Sequence, residues 1–487
     1  MLLFGYVVIS LVAGGRLGTS FVMNGGETGS APKRAGLQVW PASSTSRVAL
    51  PLLVAMGGST RKTALAAAAP SGETNEVVKT VNGLEHRRLG GGDIVVSEIG
   101  LGTQRWVSED LNAPDEAACF AFMDEAILNR GVNLIDTASQ YPIPSSARNP
   151  EGRCEEVIGK WIKQNNARDK VVIATKIVGS SHVRRKSILA DCDASLKRLQ
   201  TDHIDVYLLH WPARYSPQSN WGQSLMYHKD AERFYANNAG FEEIVSAMGE
   251  LIKAGKIRGY GSCNDNCFGL TAMSYTAKML GVPGPVCLQG DYSLIDRKME
   301  ENGVSEASSS IHLNAGFMAY NVLAGGQLTG KYSSSQNTPG AAGGMLNRLF
   351  AKRNGKWTDP AMADSYRGRF DEGGWGQTLY RYRSGPAVEA TKAYSQLASK
   401  YGIKGGLTEM ALRWTRMQQP VTTALLGSSS LEQLKQSLDY VSDHQPLPME
   451  LIFEIDRVHM RNRNPIFSST GPYSEYGDAG LIGERIP

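Results

Sequence analysis

Residues 170–210 read KVVIATKIVGSSHVRRKSILADCDASLKRLQTDHIDVYLLH. The segment opens on an apolar β-branched run, VVIATK, passes through the helical pattern SILADCDASLKRLQ, and closes on a second apolar run, IDVYLLH. Two strands joined through a helix share a sheet as parallel neighbours, with a right-handed crossover. Each of the two strands also finishes on a polar residue, Lys176 and His210.

The unit repeats in both directions. Upstream, Pro114 to Asn129 carries Ala118, Phe122 and Ala126 at helical spacing, followed by the strand VNLIDT and the helix CEEVIGKWIKQ. Downstream, FEEIVSAMGELIKAGK, IRGYGSC, TAMSYTAKML, VCLQGDYS, AGFMAYNVL, AVEATKAYSQLASKYG, GLTEMALRWTRMQ, TTALLG and LEQLKQSLDYV continue the helix and strand succession. An open sheet gathers its ligands at one switch point. Here polar residues follow nearly every strand, as loops around a common mouth require, so the expected fold is an α/β (β/α)8 TIM barrel. Ahead of it, HRRLG and DIVVSEIG joined at Gly90-Gly91-Gly92 read as an N-terminal β-hairpin plug for the barrel bottom. Two long βα-loop insertions, Ala213 to Asn238 and Tyr332 to Ser384, follow strand ends and should overhang the mouth.

The chain of 487 residues carries a net charge of +4, with 41% hydrophobic and 20% charged residues. That composition describes a globular protein with material for a large core. No dense basic run or basic helix interleaved with aromatics follows residue 86, which argues against nucleic-acid binding. The six cysteines include no CxxC pair, so neither a disulfide framework nor a metal site is expected. Residues 1–80 differ from the rest. The apolar run MLLFGYVVISLVAGG is short for a membrane span, and Arg16 to Pro70 is rich in Ser, Thr, Ala and Gly with Glu27 as its one acid. An apolar signal followed by an acid-poor stretch reads as a bipartite plastid leader or as a disordered extension. Without the leader the chain would be cytoplasmic, and no membrane association is expected of the mature form. The expected domains are therefore 1–80, a barrel over 86–465, and a tail over 466–487.

Four polar residues close strands or follow them at once: Asp136, Tyr141, Lys176 and His210. A phenol with a pKa of about 10 is lowered by roughly 1–3 pH units when a cation stands against it, which suits it to exchange a proton with a developing alkoxide. Lys176 is the expected cation, Asp136 the carboxylate that keeps it charged, and His210 a hydrogen-bonding partner for a substrate oxygen. Singly, each has a plainer role: a strand-end cap, a turn aromatic, a solvated lysine, a core imidazole. A lysine at a barrel strand end also serves Schiff-base aldolases.

Taken in order, these four residues resemble the Asp-Tyr-Lys-His tetrad of the aldo/keto reductases. RRLGGGDIVVSEIGLGTQRW, SLKRLQTDHIDVYLLHWP, GKIRGYGSCNDN, VCLQGDYSLIDR, MAYNVLAGGQLTGKY and LLGSSSLEQLKQSL agree with the same family, and YPIPSSARNPEGRCEEVIGKWI is most similar to its bacterial Tas branch. The resemblance spans roughly residues 86–465. It implies an NADPH-dependent oxidoreductase that reduces an aldehyde or ketone, a small-molecule carbonyl substrate, and Tyr141 as general acid. It also implies an alternative, a cofactor-sensing regulatory subunit with slow turnover, similar to the potassium-channel β-subunits.

By the same resemblance the cofactor contacts are Gly102, Thr103 and Asp136, then Cys263, Asn264 and Gln289 around the carboxamide, with Tyr320 stacked on the ring and Asn321 beside it. Cys263 stands where the family often has serine. Leu323, Gly325 and Lys331 match the pyrophosphate loop. Gly427, Ser429, Gln433 and Gln436 match the anion site where strand, small turn and helix N-terminus meet. That turn has no lysine or arginine to grip a 2′-phosphate, so NADPH is expected with NADH left open. Gly100-Leu101-Gly102 is not a Rossmann fingerprint, because Arg105 replaces the third glycine and no helix starts there. Trp106 and Trp211 are candidate walls for the substrate carbonyl or packing residues.

Overall fold

The computed structural model describes residues 72–109, 113–179, 183–217, 227, 229–332, 382, 384–442 and 445–465, with the dipeptides 12–13, 16–17, 352–353 and 356–357. By internal contacts the chain divides into Met1–Lys62 and Thr63–Pro487. In the first unit Val12–Ala13 pairs antiparallel with Arg16–Leu17. The second unit carries all that follows.

It opens with a three-stranded antiparallel sheet, β1 (Val77–Val81), β2 (Leu84–Arg88) and β3 (Val95–Ser97). Eight parallel strands then close into a barrel: β4 (Ile99–Gly102), β5 (Leu134–Asp136), β6 (Val172–Ile177), β7 (Ile204–Leu209), β8 (Ile257–Cys263), β9 (Cys287–Asp291), β10 (Gly316–Tyr320) and β11 (Val421–Leu426). Closure is made by β11 on β4, with Leu426 opposite Leu101. The helices between them are α1 (Glu116–Met123), α2 (Arg153–Asn165), α3 (Arg185–Leu199), α4 (Phe241–Lys253), α5 (Cys267–Leu280), the short α6 (Lys298–Glu301) and α7 (Val304–Ser308), then α8 (Gly385–Lys400) and α9 (Gly406–Met417). After the last strand come α10 (Leu431–Ser442) and α11 (Met449–Arg461). Local chemistry sets several starts. Asp115 caps α1 by accepting from the Ala118 amide at 2.8 Å, and Asn266 caps α5 through Gly269. Beyond α1 the chain widens into a π-helical turn, Asp124–Asn129.

The barrel interior is filled by Leu134, Val172, Ala174, Val206, Leu208, Cys287, Met318 and Leu425, and from below by Leu89, Ile94 and Val96 of the N-terminal sheet. The three plug side chains Leu89, Ile94 and Val96 each contribute about 1.5–3 kcal/mol on burial, so the expected plug is part of the core. Gly90 makes this possible. Its backbone is left-handed, at φ +74°, and a Cβ there would stand 2.5 Å from the Val286 carbonyl oxygen. Fully buried Glu98, between β3 and β4, accepts from Arg87 (3.0 Å) and from Arg416 of α9 (3.2 Å), tying the plug to the outer ring.

One expectation needs revision, and one element went unread. Strand β1 lies within residues 1–80 yet pairs with β2, so the folded unit starts ahead of residue 86; its side chains are mostly exposed, which left no apolar alternation to read. The closing helix α11 was not expected. The tail 466–487 lies outside the described residues, as do most of residues 1–71 and most of the insertion from Tyr332 to Ser384. Among the described residues no helix is long and apolar enough to cross a membrane.

Candidate active site

The polar strand ends meet at the C-terminal mouth. Asp136 ends β5 and Lys176 lies on the adjacent β6, both facing the barrel axis. The Lys176 ammonium donates to both Asp136 carboxylate oxygens at 2.8 Å and to the Thr137 carbonyl at 2.8 Å. It is wholly buried, so this pairing is what keeps it charged.

Tyr141 is brought over Lys176 by the loop after β5. The Thr137 amide donates to the Ala174 carbonyl (2.8 Å), and both the amide and hydroxyl of Ser139 donate to the Lys176 carbonyl (3.0 and 2.9 Å). The loop therefore leans along β6, and Lys176 Nζ stands 5.0 Å from the centroid of the Tyr141 ring. His210 continues β7, its amide donating to Ile177, and its ring meets Tyr141 edge-on with centroids 5.6 Å apart. Trp211 stacks on His210 with centroids 5.7 Å apart. Trp106 instead packs in the core against Phe122, and its carbonyl accepts from Cys154.

The next strands extend the network. Gln289 of β9 donates to Asp136 Oδ1 at 2.7 Å, and Cys263 of β8 donates to Gln289 Oε1 at 3.3 Å. Asn264 donates to the His210 carbonyl at 3.0 Å and accepts from the Tyr320 hydroxyl of β10. Asn264 and Asn321 both have left-handed φ, +58° and +54°, directly after a strand; asparagine is enriched in that region because its short amide bonds locally. The Thr103 amide and hydroxyl both donate to the Asp136 carbonyl (3.1 and 3.0 Å), and Gly102 pairs with Asp136 in register. Asp136, Tyr141, Lys176, His210, Thr103, Cys263, Asn264, Gln289 and Tyr320 thus form one connected set. Gly100 serves packing, since a Cβ there would meet Leu134 and Leu425 at 2.8 and 2.9 Å.

A second group lies along the rim. Leu323 leads into Ala324, Gly325 and Gly326, all left-handed, and Lys331 folds back so that a Cβ on Gly326 would lie 3.0 Å from its Cε. On the loop of the neighbouring strand β11, the Ser429 amide donates to Gln433, and Ser430 caps α10 by accepting from the Gln433 amide. Gly427 stands in open space, and Gln436 is on the exposed outer face of α10. Asn321 spends its amide on Asp291 and Tyr382, at 3.1 and 3.2 Å.

Arg105 was passed over in the sequence as a lost glycine. Its guanidinium reaches Ser429 Oγ at 3.5 Å, because β4 and β11 are neighbours and their loops share one edge. A cation therefore does stand at the α10 turn, supplied from elsewhere in the chain. The sequence signal was its place three residues after Gly102, on the first βα-loop.

The electrostatics correct one expectation. Burial pushes the Tyr141 phenol above its ordinary value, and the Lys176 cation only partly opposes it, so the net direction is up. Burial works against charge on Lys176 too, but the paired Asp136 carboxylate outweighs it and holds the ammonium protonated. Burial, aided by the Lys176 cation, holds His210 well below the usual imidazole value, so it is neutral at pH 7. Burial raises the Cys263 thiol to about 12. His210 Nδ1 and Thr137 Oγ1 have no hydrogen-bond partner among the described residues. No group of three or more metal-ligating side chains occurs among them either.

Comparison with known proteins falls on the same framework. The model of the aldo/keto reductase family matches residues 98–459. The chain is 30% identical over 387 residues to "Protein tas" of Escherichia coli (strain K12), covering 77% of this chain and 98% of that protein. It is 30% identical over 309 residues to an aldo-keto reductase of Babesia bovis, covering 61% and 98% respectively. Against the uncharacterized oxidoreductase YrpG of Bacillus subtilis (strain 168) the identity is 27% over 400 residues, covering 80% and 97%. A match running from the first barrel strand to the closing helix, over the strands that carry the buried polar network, makes the chain a member of the aldo/keto reductase family of oxidoreductases.

Proposed function

We propose that the chain reduces an aldehyde or ketone to the alcohol by hydride transfer from NADPH, with Tyr141 as proton donor. One observation carries the reading: a buried ammonium, held by Asp136, lies under the Tyr141 ring with a neutral His210 beside it. The donor set suits a nicotinamide dinucleotide. Asn264 and Gln289 are buried side-chain amides that match a carboxamide, Tyr320 offers a ring face, and Lys331 and Arg105 are cations beside glycine-bearing turns that match phosphates.

When bound, NADPH supplies the hydride. Tyr141 gives its proton to the carbonyl oxygen as negative charge develops there. Lys176 stabilises the phenolate left behind, which offsets the burial that otherwise disfavours it. Asp136 keeps Lys176 charged and in place. His210, neutral, offers a ring N–H that orients the same oxygen. Consumption of NADPH and NADH against a panel of aldehydes and ketones tests the reading, with tryptophan fluorescence titration reporting cofactor affinity.

The raised Tyr141 phenol also favours a second reading, a slow reductase whose output is cofactor binding. Tight NADPH binding without turnover on any carbonyl would select it. We further propose that residues 1–71 direct the chain to a plastid, on the strength of an apolar run followed by the acid-poor stretch Arg16 to Pro70. A fluorescent protein fused behind residues 1–71 and remaining in the cytoplasm would refute that.

A further inference from the structure

A second buried polar cluster stands at the mouth, and the proton-transfer steps leave it unused. Asp291 closes β9, Asn321 follows β10, and Tyr382 comes from the far end of the insertion that begins at Tyr332. The Asn321 amide donates to Asp291 Oδ2 at 3.1 Å and to the Tyr382 hydroxyl at 3.2 Å. The Tyr382 hydroxyl in turn donates to the same carboxylate oxygen at close range. Tyr382 is wholly buried and Asp291 is nearly so. Each member of this triangle bonds to both others, although 91 residues separate Asp291 from Tyr382. Groups so deeply buried would be costly to leave unpaired.

The triangle has a clear mechanical address. Asn321 is left-handed, and its carbonyl accepts from the Ala324 amide at 2.6 Å. From there the backbone turns through Ala324, Gly325 and Gly326, all with positive φ, into the loop that ends at Lys331. Directly before Asn321 stands Tyr320. Its hydroxyl is tied to Asn264, and its cross-strand partner on β9 is Asp291 itself. Tyr320, through its backbone pairing with Asp291, and the start of the glycine-bearing loop, through Asn321, are thus both attached to the triangle.

We infer that Asp291 and Tyr382 are positioning residues for the cofactor: they hold Asn321 in its left-handed turn, and so fix the Tyr320 ring and the start of the glycine-bearing loop. The inference rests on the reading of NADPH as cofactor. Releasing the Asn321 amide frees the turn to sample other backbone states. The cost of reordering it then falls on cofactor binding, with the tetrad untouched.

The test uses the full chain with Tyr382→Phe, Asp291→Asn and the double variant. NADPH affinity and dissociation rate come from tryptophan fluorescence, kcat and carbonyl KM from saturating NADPH, and thermal midpoints from the cofactor-free proteins. Each single variant is expected to weaken NADPH about tenfold through faster dissociation, with carbonyl KM unchanged. The double variant should be no weaker than the worse single, because both act through Asn321. Wild-type NADPH affinity in both singles, or fully additive losses in the double, would overturn the inference. So would a loss no larger than the drop in folded fraction at the assay temperature. If Tyr382→Phe does not fold, Asp291→Asn decides by the same affinity and KM criteria. A wild-type chain that binds neither NADPH nor NADH would bring down the functional reading and this inference together, whereas intact binding in every variant ends the positioning role alone.

Discussion

Lys176 places its ammonium 2.8 Å from each carboxylate oxygen of Asp136, joining two adjacent barrel strands by a two-pronged, buried ion pair. The two charges need each other, since either left alone in that interior is uncompensated. Asp136→Asn is expected to destabilise the fold by about 3–5 kcal/mol in urea denaturation at neutral pH. The apolar pair Asp136→Leu with Lys176→Met should recover most of that loss while remaining inactive. Unchanged stability in the single variant would mean that the pair is not desolvated as described.

Tyr141→Phe keeps the ring that packs against Lys176 and His210 and removes only the hydroxyl. Turnover should fall by about 100- to 10,000-fold, with NADPH affinity nearly intact by fluorescence titration. Wild-type rates on every carbonyl tested would assign the proton to another group.

The suppressed basicity of His210 gives stability a pH dependence of definite sign. In the unfolded chain its imidazole titrates near 6.5, whereas burial and the Lys176 cation keep the folded form neutral to much lower pH. Below about pH 6.5 the unfolded chain takes up a proton that the folded chain refuses, so stability is full above that value and declines beneath it. His86 and His459 are also lowered, first by burial, and add to the same slope. Thermal midpoints should fall on acidification, and His210→Asn should flatten part of the fall; a profile as steep as wild type would refute the assignment.

Arg105 is expected to discriminate between cofactors. Its guanidinium stands at Ser429, where a 2′-phosphate would lie on the proposed reading, and a hydrogen bond to a charged group contributes about 1.5–3 kcal/mol. Arg105→Gln should therefore weaken NADPH by about tenfold or more and leave NADH almost unaffected. Equal losses for both cofactors in fluorescence titration would remove Arg105 from that role.

Much of this is legible in the sequence. The barrel strands announce themselves as apolar runs ending on polar residues, and Asp136, Lys176 and His210 stand at such ends. What escaped reading depended on depth and on distance along the chain. Strand β1 is mostly exposed, so VVKTV shows no buried face. The direction of the Tyr141 shift turns on how completely the phenol is buried, which no local pattern encodes. Arg105 looked like a spoiled glycine motif because its partner Ser429 lies 324 residues away. Asp291 and Tyr382 are likewise neighbours only once β9 and the end of the insertion have packed.

The loop bearing Tyr141 is stitched to the carbonyls of Ala174 and Lys176, so donor and cation travel as one piece whenever β6 shifts. The two inserted segments leave from other strands, β7 and β10. A change of length in either segment therefore leaves the spacing of Tyr141 and Lys176, set by β5 and β6 alone, as it is.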